Sequence, residues 1–191
     1  MKRGSMNEIA TIPFDVVRQA QSGDVAQIGV LYEHYHLDVF RYLYYLLGDR
    51  HTAEDLTSDV FLRMIRSLPH YRLQGSPFRA WLYQIARHLA VDHFRRVKGR
   101  QPAQVHEGLP ADGPDPAVMA QRGLDSERLQ RALARLGDEQ REVIVLRFVV
   151  GLPISETAAA LEKSEDAVKG LQRRALYALR ELLSDWEVDH V

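Results

Sequence analysis

The stretch 99–123 constrains this chain more than any other segment. Four of the eight prolines, Pro102, Pro110, Pro114 and Pro116, fall inside it, among Gly99, Gly108, Gly113 and Gly123. Proline removes a backbone donor and fixes φ, and glycine costs the most entropy to order. A run rich in both, with almost no apolar periodicity, reads as an extended linker. At about 3.3 Å per residue it reaches roughly 80 Å. A length of 191 residues suits one domain or two small ones, and the linker selects two, 15–98 and 124–187.

Both flanks read as all-α. Ile28, Leu31, Tyr32, Tyr35, Val39, Tyr42, Leu43 and Leu46 recur every three or four residues through a helix over Val25–Leu47, ended by Gly48-Asp49. Thr52, with Asp55 three residues on, predicts an N-cap, and Leu56, Val60, Met64, Ile65 and Leu68 the inward face that follows. Pro69 stops that helix. A loop over 69–77 leads to a third helix running to about Val97, with Phe78, Trp81, Leu82, Ile85, Leu89 and His93 on one face. Beyond the linker, helices are expected over 124–136 and 138–150. The β-branched run Val143–Val145 lacks flanking turn signals and reads as helix.

Composition removes several function classes. With 25 Lys and Arg against 26 Asp and Glu, the net charge is −1, so the chain does not coat nucleic acid unaided. There is no cysteine, hence no disulfide frame and no thiolate metal site. No apolar run approaches the ~20 residues of a membrane helix, and no N-terminal segment reads as a secretion signal, so a cytoplasmic protein without membrane insertion is expected. The opening Met-Lys-Arg-Gly-Ser-Met leaves Met6 as a candidate native start.

Residues 153–183 carry the most specific pattern. Pro153 opens a short helix with Ala158, Ala159 and Leu161. A break follows at Glu162-Lys163, and Ser164 is a good N-cap for the next helix, with Glu165 and Asp166 in its first turn. Val168, Leu171, Ala175, Leu179 and Leu182 share one face. Asp166, Lys169, Gly170, Arg173 and Tyr177 share the opposite one, with Arg174 beside them. This suits a helix-turn-helix whose second helix enters a major groove. Lys169 or Arg173 would donate to guanine O6/N7, and Arg147, Ser164 and Arg174 to phosphates. An antiparallel helix pair with a solvated basic face fits the same spacing.

In the first domain, Arg79, Arg87, Arg95, Arg96, Lys98 and Arg100 face a single acid, Asp92, over 78–100. Phe78, Trp81, Tyr83 and Phe94 are interleaved. Cations beside rings suit single-stranded DNA, although Phe78 and Trp81 also fit the core. On the preceding helix, Asp55, Asp59 and Leu62, with Ser58 nearby, make an acidic-apolar face that suits either solvent or a basic helical partner. The histidine pairs 34/36 and 88/93 have poor spacing for a metal on a helix, where i,i+4 aligns best. Neither metal nor cofactor is expected, and no catalytic grouping is found.

Four segments in order resemble an extracytoplasmic-function (ECF) sigma factor of the sigma-70 family. Residues 53–62 (Ala-Glu-Asp-Leu-Thr-Ser-Asp-Val-Phe-Leu) resemble the family's segment that contacts the clamp helices of polymerase β′. Residues 76–87 and 91–96 (Val-Asp-His-Phe-Arg-Arg) resemble its −10 recognition and melting segment. Leu136 with 139–147 resembles the lead-in to its C-terminal domain, and 167–176 (Ala-Val-Lys-Gly-Leu-Gln-Arg-Arg-Ala-Leu) its −35 recognition helix. The resemblance implies an all-α fold of two small helical domains joined by an extended linker, the second a helix-turn-helix. It implies a dissociable specificity subunit, not an enzyme. The implied partners are core RNA polymerase (β′ clamp helices and β flap), promoter DNA and an anti-sigma factor.

By the same resemblance, Asp55, Ser58, Asp59 and Leu62 contact polymerase. Arg79, Tyr83, Arg87, Arg95 and Arg96 contact the −10 element. The loop with His70, Arg72 and Gln74 matches the one that captures a flipped base, without revealing which side chain supplies the pocket. Arg147, Ser164, Asp166, Lys169, Gly170, Arg173, Arg174 and Tyr177 fall at the −35 site. His88 stands where the family has Asn, and Glu162 where it has Gly, which predicts a wider or strained turn. The alternatives are a stand-alone helix-turn-helix regulator binding a palindrome as a dimer, and a metal enzyme.

Overall fold

A computed structural model describes residues 12–72, 75–98 and 128–188, so the expected linker at 99–123 and Gln74 lie outside the described residues. Among the described residues every regular element is helical: α1 (Phe14–Gln21), α2 (Val25–Leu47), α3 (Arg50–Ser67), a 3₁₀ turn (Leu68–His70), α4 (Phe78–Lys98), α5 (128–134), α6 (Asp138–Ile144), α7 (Ile154–Leu161) and α8 (Glu165–Val188). Apolar periodicity does not predict the short α1.

Local chemistry explains the boundaries. The Asp24 carboxylate accepts from the backbone N–H of Ala26 (2.9 Å) and Gln27 (3.3 Å) and starts α2. Gly48, at φ 81°, ends it, its N–H returning to the Tyr44 carbonyl at 2.9 Å. The cap of α3 is Asp49, whose carboxylate accepts from Thr52 N–H at 2.8 Å. Thr52, the expected cap, is already helical. Along α3, Leu56, Val60, Phe61 and Met64 are buried, whereas Ile65, expected inward, is 43% exposed. One residue past Met64 turns it 100° off the inward stripe.

In the second domain α6 runs into a π-helical turn at Val145–Val149, where Val150 N–H reaches the Val145 carbonyl at 3.0 Å. The break after α7 is tight: Glu162 takes the left-handed conformation (φ 55°, ψ 41°), and Lys163 N–H closes on the Ala158 carbonyl at 2.9 Å. The turn is therefore of ordinary width, and its strain is one non-glycine residue at positive φ. Ser164 then caps α8, its hydroxyl accepting from Ala167 N–H at 3.2 Å.

The two domains are packed together, and one apolar cluster runs from Val17 to Leu179 through both. Helix α4 is the shared element. It meets α2 and α3 on one side and α7 on the other. Ala80, Ala86 and Ala90 are buried along it and allow close approach. Pairs across the seam advance together, 79 with 156, 84 with 159 and 88 with 162, so α4 and α7 point the same way. Expecting two modules coupled only by a tether misses this seam, whose partners are 55–95 residues apart in sequence.

Tyr42 and Tyr83 are fully buried with rings edge to face at 5.4 Å, and neither hydroxyl has a hydrogen-bond partner. An unmade bond on a buried hydroxyl costs ~1–3 kcal/mol. Tyr42→Phe should therefore leave stability unchanged or raise it by up to about 1 kcal/mol in urea unfolding; a loss above that would show a partner the structure lacks.

Candidate nucleic-acid interface

Three surfaces hold the sequence-predicted site residues. The first is the outer face of α3. Asp55, Ser58, Asp59 and Leu62 are all exposed, and the Ser58 hydroxyl donates to the Glu54 carbonyl at 3.3 Å. Residues 55, 59 and 62 follow i, i+4, i+7, so the two carboxylates and the leucine line one stripe. Ile65 and Tyr32 of α2, 43% and 46% exposed, extend its apolar part.

The second surface is α4 and the loop before it. Tyr71 anchors the loop: its hydroxyl donates to the Ser76 carbonyl at 2.7 Å, its ring lies 4.8 Å from Trp81, and its carbonyl accepts from Gln21 at 2.6 Å. His70 and Arg72 remain exposed. Phe78 is buried and Trp81 half-buried against the core. Tyr83 is sealed against Tyr42 and offers no face to a base. Arg95 and Arg96 are exposed at the far end; Arg95 lies 3.9 Å from Asp92, and Arg96 donates to the Asp92 carbonyl at 3.3 Å.

The other two arginines of α4 are engaged across the seam. Arg79 donates to the Glu156 carboxylate at 2.8 Å and to the Gly151 carbonyl at 3.4 Å. Arg87 donates to the Glu142 carboxylate at 3.2 Å. Sequence reasoning missed this set, together with Gln84, Gln130 and Arg141. Gln84 donates to the Ala159 carbonyl at 2.7 Å. Gln130 and Arg141 donate to the Tyr44 and Leu46 carbonyls at the end of α2, at 2.9 and 3.3 Å. One signal was present: Glu142 precedes Val143, Ile144 and Val145 at a buried position of α6 where an acid needs a partner.

The third surface is α8. Ser164, Asp166, Lys169, Arg173, Arg174 and Tyr177 are exposed and Gly170 is partly covered. Lys169 pairs with Asp166 at 3.2 Å and Glu165 at 3.9 Å. Arg147 does not join this face. Its guanidinium donates to the Gln172 side chain at 3.0 Å and to the Leu152 carbonyl, tying the π turn to α8 from inside.

Burial pushes the Glu142 carboxyl above its ordinary 4.5, and the Arg87 charge and hydrogen bond pull it partly back. Glu139 moves the other way, its carboxylate held low by the hydrogen bond and charge of Lys163. Burial, and then the Arg96 charge, lower His93.

Two helical domains, one with a basic, ring-bearing helix and an acidic stripe on its neighbour, the other a helix-turn-helix with a capped, basic second helix, are the architecture that the comparisons have to match. The Sigma-70 region 2 family model matches residues 31–100 and the Sigma-70, region 4 model residues 132–181. The chain is 41% identical over 90% of its length to the ECF RNA polymerase sigma factor BldN of Streptomyces coelicolor, spanning 66% of that protein. It is 34% identical over 79% of its length to the ECF sigma factor SigX of Bacillus subtilis, spanning 80% of it. A solved structure of the sigma factor RpoE with the anti-sigma factor NepR from Bartonella quintana is 26% identical, covers 84% of this chain and 98% of its own, and has a TM-score of 0.68. The chain belongs to the ECF RNA polymerase sigma factors. As in any such factor, its domains carry regions 2 and 4 of the sigma-70 fold.

The signs of these shifts give a pH test. Glu142 is raised, so its contribution is fully present below about 4.5 and is lost as pH rises through its folded value. His93, lowered, contributes stability present above 6.5 and lost as pH falls through its folded value, opposite in sign to Glu142. Wild type therefore has to be compared with Glu142→Gln. From below pH 4.5 up to pH 7 the wild type should lose stability relative to the variant in urea unfolding; parallel profiles over that whole range would contradict the raised pKa.

Proposed function

We propose that this chain docks on core RNA polymerase through Asp55, Ser58, Asp59 and Leu62, and reads a promoter with two separate faces. The carboxylates of α3 suit basic partners on the β′ clamp helices, with Leu62 as the apolar centre of the contact. Lys169, Arg173, Arg174 and Tyr177 read the −35 duplex. Lys169 or Arg173 faces a guanine edge, and the N-terminal turn of α8, with Ser164, faces phosphate. Asp166 restrains Lys169 in the free protein, and Gly170 permits a close backbone approach. Arg147 positions α8. His70, Arg72, Gln74, Arg79, Arg87, Arg95 and Arg96 serve the −10 strand: the loop takes unpaired bases and the arginines follow phosphates. Tyr83 supports α4 from the core.

The observation that carries this reading is the capped α8 with Lys169, Arg173 and Tyr177 open to solvent in a chain whose α3 stripe is equally open. The polymerase core makes the RNA, and no covalent step falls to this chain. The setting is cytoplasmic; no helix of the described residues is long and apolar enough to cross a membrane. An anti-sigma factor controls the chain; in support, the similar sigma factor RpoE of Bartonella quintana is solved in complex with the anti-sigma factor NepR.

Run-off transcription with purified core polymerase on a promoter library tests the whole reading; a chain that neither binds core nor directs transcripts would end it. Two variants test its parts. Arg173→Ala should weaken −35 binding by ~1–3 kcal/mol on the cognate sequence and much less on random DNA; equal loss on both would make Arg173 a phosphate contact. Asp55→Lys with Asp59→Lys should abolish association with core polymerase while −35 duplex binding by the free chain stays unchanged; retained association would remove α3 from the docking site.

A further inference from the structure

Helix α1 reaches the loop before α4 through the side chain of its last residue. Val17 and Ala20 are the buried residues of α1, which packs on α2 and on the 3₁₀ turn Leu68–His70. Gly23, at φ 97°, turns the chain from α1 into α2. Gln21 closes α1, and its side-chain amide donates to the Tyr71 carbonyl at 2.6 Å, with a longer second bond to the Pro69 carbonyl at 3.5 Å. These two carbonyls flank His70. One side chain therefore holds the backbone on both sides of a residue whose own side chain is exposed.

The rest of the loop is closed by its own bonds. Tyr71 N–H returns to the Leu68 carbonyl at 3.1 Å, and the Tyr71 hydroxyl donates to the Ser76 carbonyl at 2.7 Å. The Tyr71 ring lies 4.8 Å from Trp81 and 5.7 Å from Phe78. Gly75 N–H closes on the Arg72 carbonyl at 3.0 Å, in a turn where a Cβ at 75 would come within 3.2 Å of that same oxygen. Tyr71 thus ties the loop to α4, and Gln21 ties it to α1. The exposed His70 and Arg72 project from a backbone fixed at both ends. A loop already held in its bound shape loses less entropy when it takes up a ligand.

We propose that Gln21 is a positioning residue for capture of the unpaired −10 base, and that α1 is the helix that delivers it. Gln21 touches no nucleic acid. By holding the Pro69 and Tyr71 carbonyls it sets the directions of the His70 and Arg72 side chains. A carbonyl that loses its donor turns toward water, and the peptides on either side of His70 turn with it. Discrimination at one base depends on side-chain direction and goes with that turn. Attraction of the strand to Arg95 and Arg96 depends on charge and stays.

The inference deepens the proposed −10 role of this loop and rests on it. The probes are the single-stranded −10 sequence that the promoter library returns and copies with one base at a time replaced by an abasic site. Each is bound to the complex with core polymerase and followed by fluorescence anisotropy. In wild type one abasic position should cost at least tenfold in affinity; if none does, the −10 reading fails and the inference falls with it. Gln21→Leu keeps the size of the side chain and removes both donors. It should shrink the penalty at that position at least threefold and leave the other positions and a random oligonucleotide within twofold of wild type. An undiminished penalty overturns the proposal, and so does a uniform change at every position, which marks a general folding defect. Gln21→Arg offers planar N–H donors to the same carbonyls and should restore the wild-type penalty; no recovery would mean that packing, not donation, matters, and would reject Gln21 in this role. Its added charge strengthens binding of every oligonucleotide alike, so the penalty, a ratio, is unaffected. Without DNA, hydrogen exchange at the Tyr71 and Gly75 amides of the free chain should be at least fivefold faster in Gln21→Leu than in wild type, with Leu82 and Ala86 of α4 unchanged. Equal rates would show that the loop keeps its shape without Gln21 and would end the proposal.

Discussion

Helix α4 is asked to be core on two sides. On the first-domain side it buries Leu82, Tyr83 and Ile85, and on the other it uses the polar rungs Arg79 and Gln84 against the α7 segment and Arg87 against α6. The two contacts differ in kind. The first removes apolar side chains from water and holds the first domain together without reservation. The second mixes apolar closure with desolvated charge, where Coulomb attraction and the loss of hydration nearly cancel. A seam of that kind fixes orientation more firmly than it adds stability. The docking of the second domain follows from it, as does the concealment of Arg79 and Arg87.

Arg141 shows how the second domain serves the first without being part of its core. Its guanidinium donates to the Leu133, Ala134 and Leu136 carbonyls at the end of α5 and to the Leu46 carbonyl at the end of α2. Helix ends leave their last carbonyls without intrahelical partners, and a five-donor planar cation is well matched to several at once. The arginine joins two helix ends that belong to different domains. Arg147 does the same work within the second domain, between the Leu152 carbonyl and Gln172, and so sets the direction in which α8 presents Lys169 and Arg173.

Much of this was legible in the chain. The 3.6-residue apolar period located α2, α3, α4 and α8, because one-sided burial imprints that period directly. The helix-turn-helix was readable down to its cap: Ser164 was expected and found, and the buried Val168, Leu171, Ala175 and Leu179 stand opposite the exposed Lys169, Arg173 and Tyr177. Errors arose where neighbours compete for one local role. Asp49 and Thr52 both suit an N-cap, and the preceding Gly48 turn decided for Asp49. Met64 and Ile65 are equally apolar, and only the inward stripe separates them. Glu162 lies in a conformation usually left to glycine, because the turn between α7 and α8 requires it. The short α1 has no side-chain cap and the π turn no sequence signature that apolar period detects.

The chain by itself determined α2, α3, α4 and α8, the basic character of α4 and the exposed face of α8 that carries Lys169, Arg173 and Tyr177, because each depends on residues within a few positions of one another. Only the tertiary structure decided which of those basic residues are free. Arg79, Arg87, Arg95 and Arg96 are alike in sequence, yet the first two are paired with Glu156 and Glu142 and the last two stand in solvent. An ion pair across 77 or 55 residues leaves no local period, so it exists only once α7 and α6 have come to rest on α4.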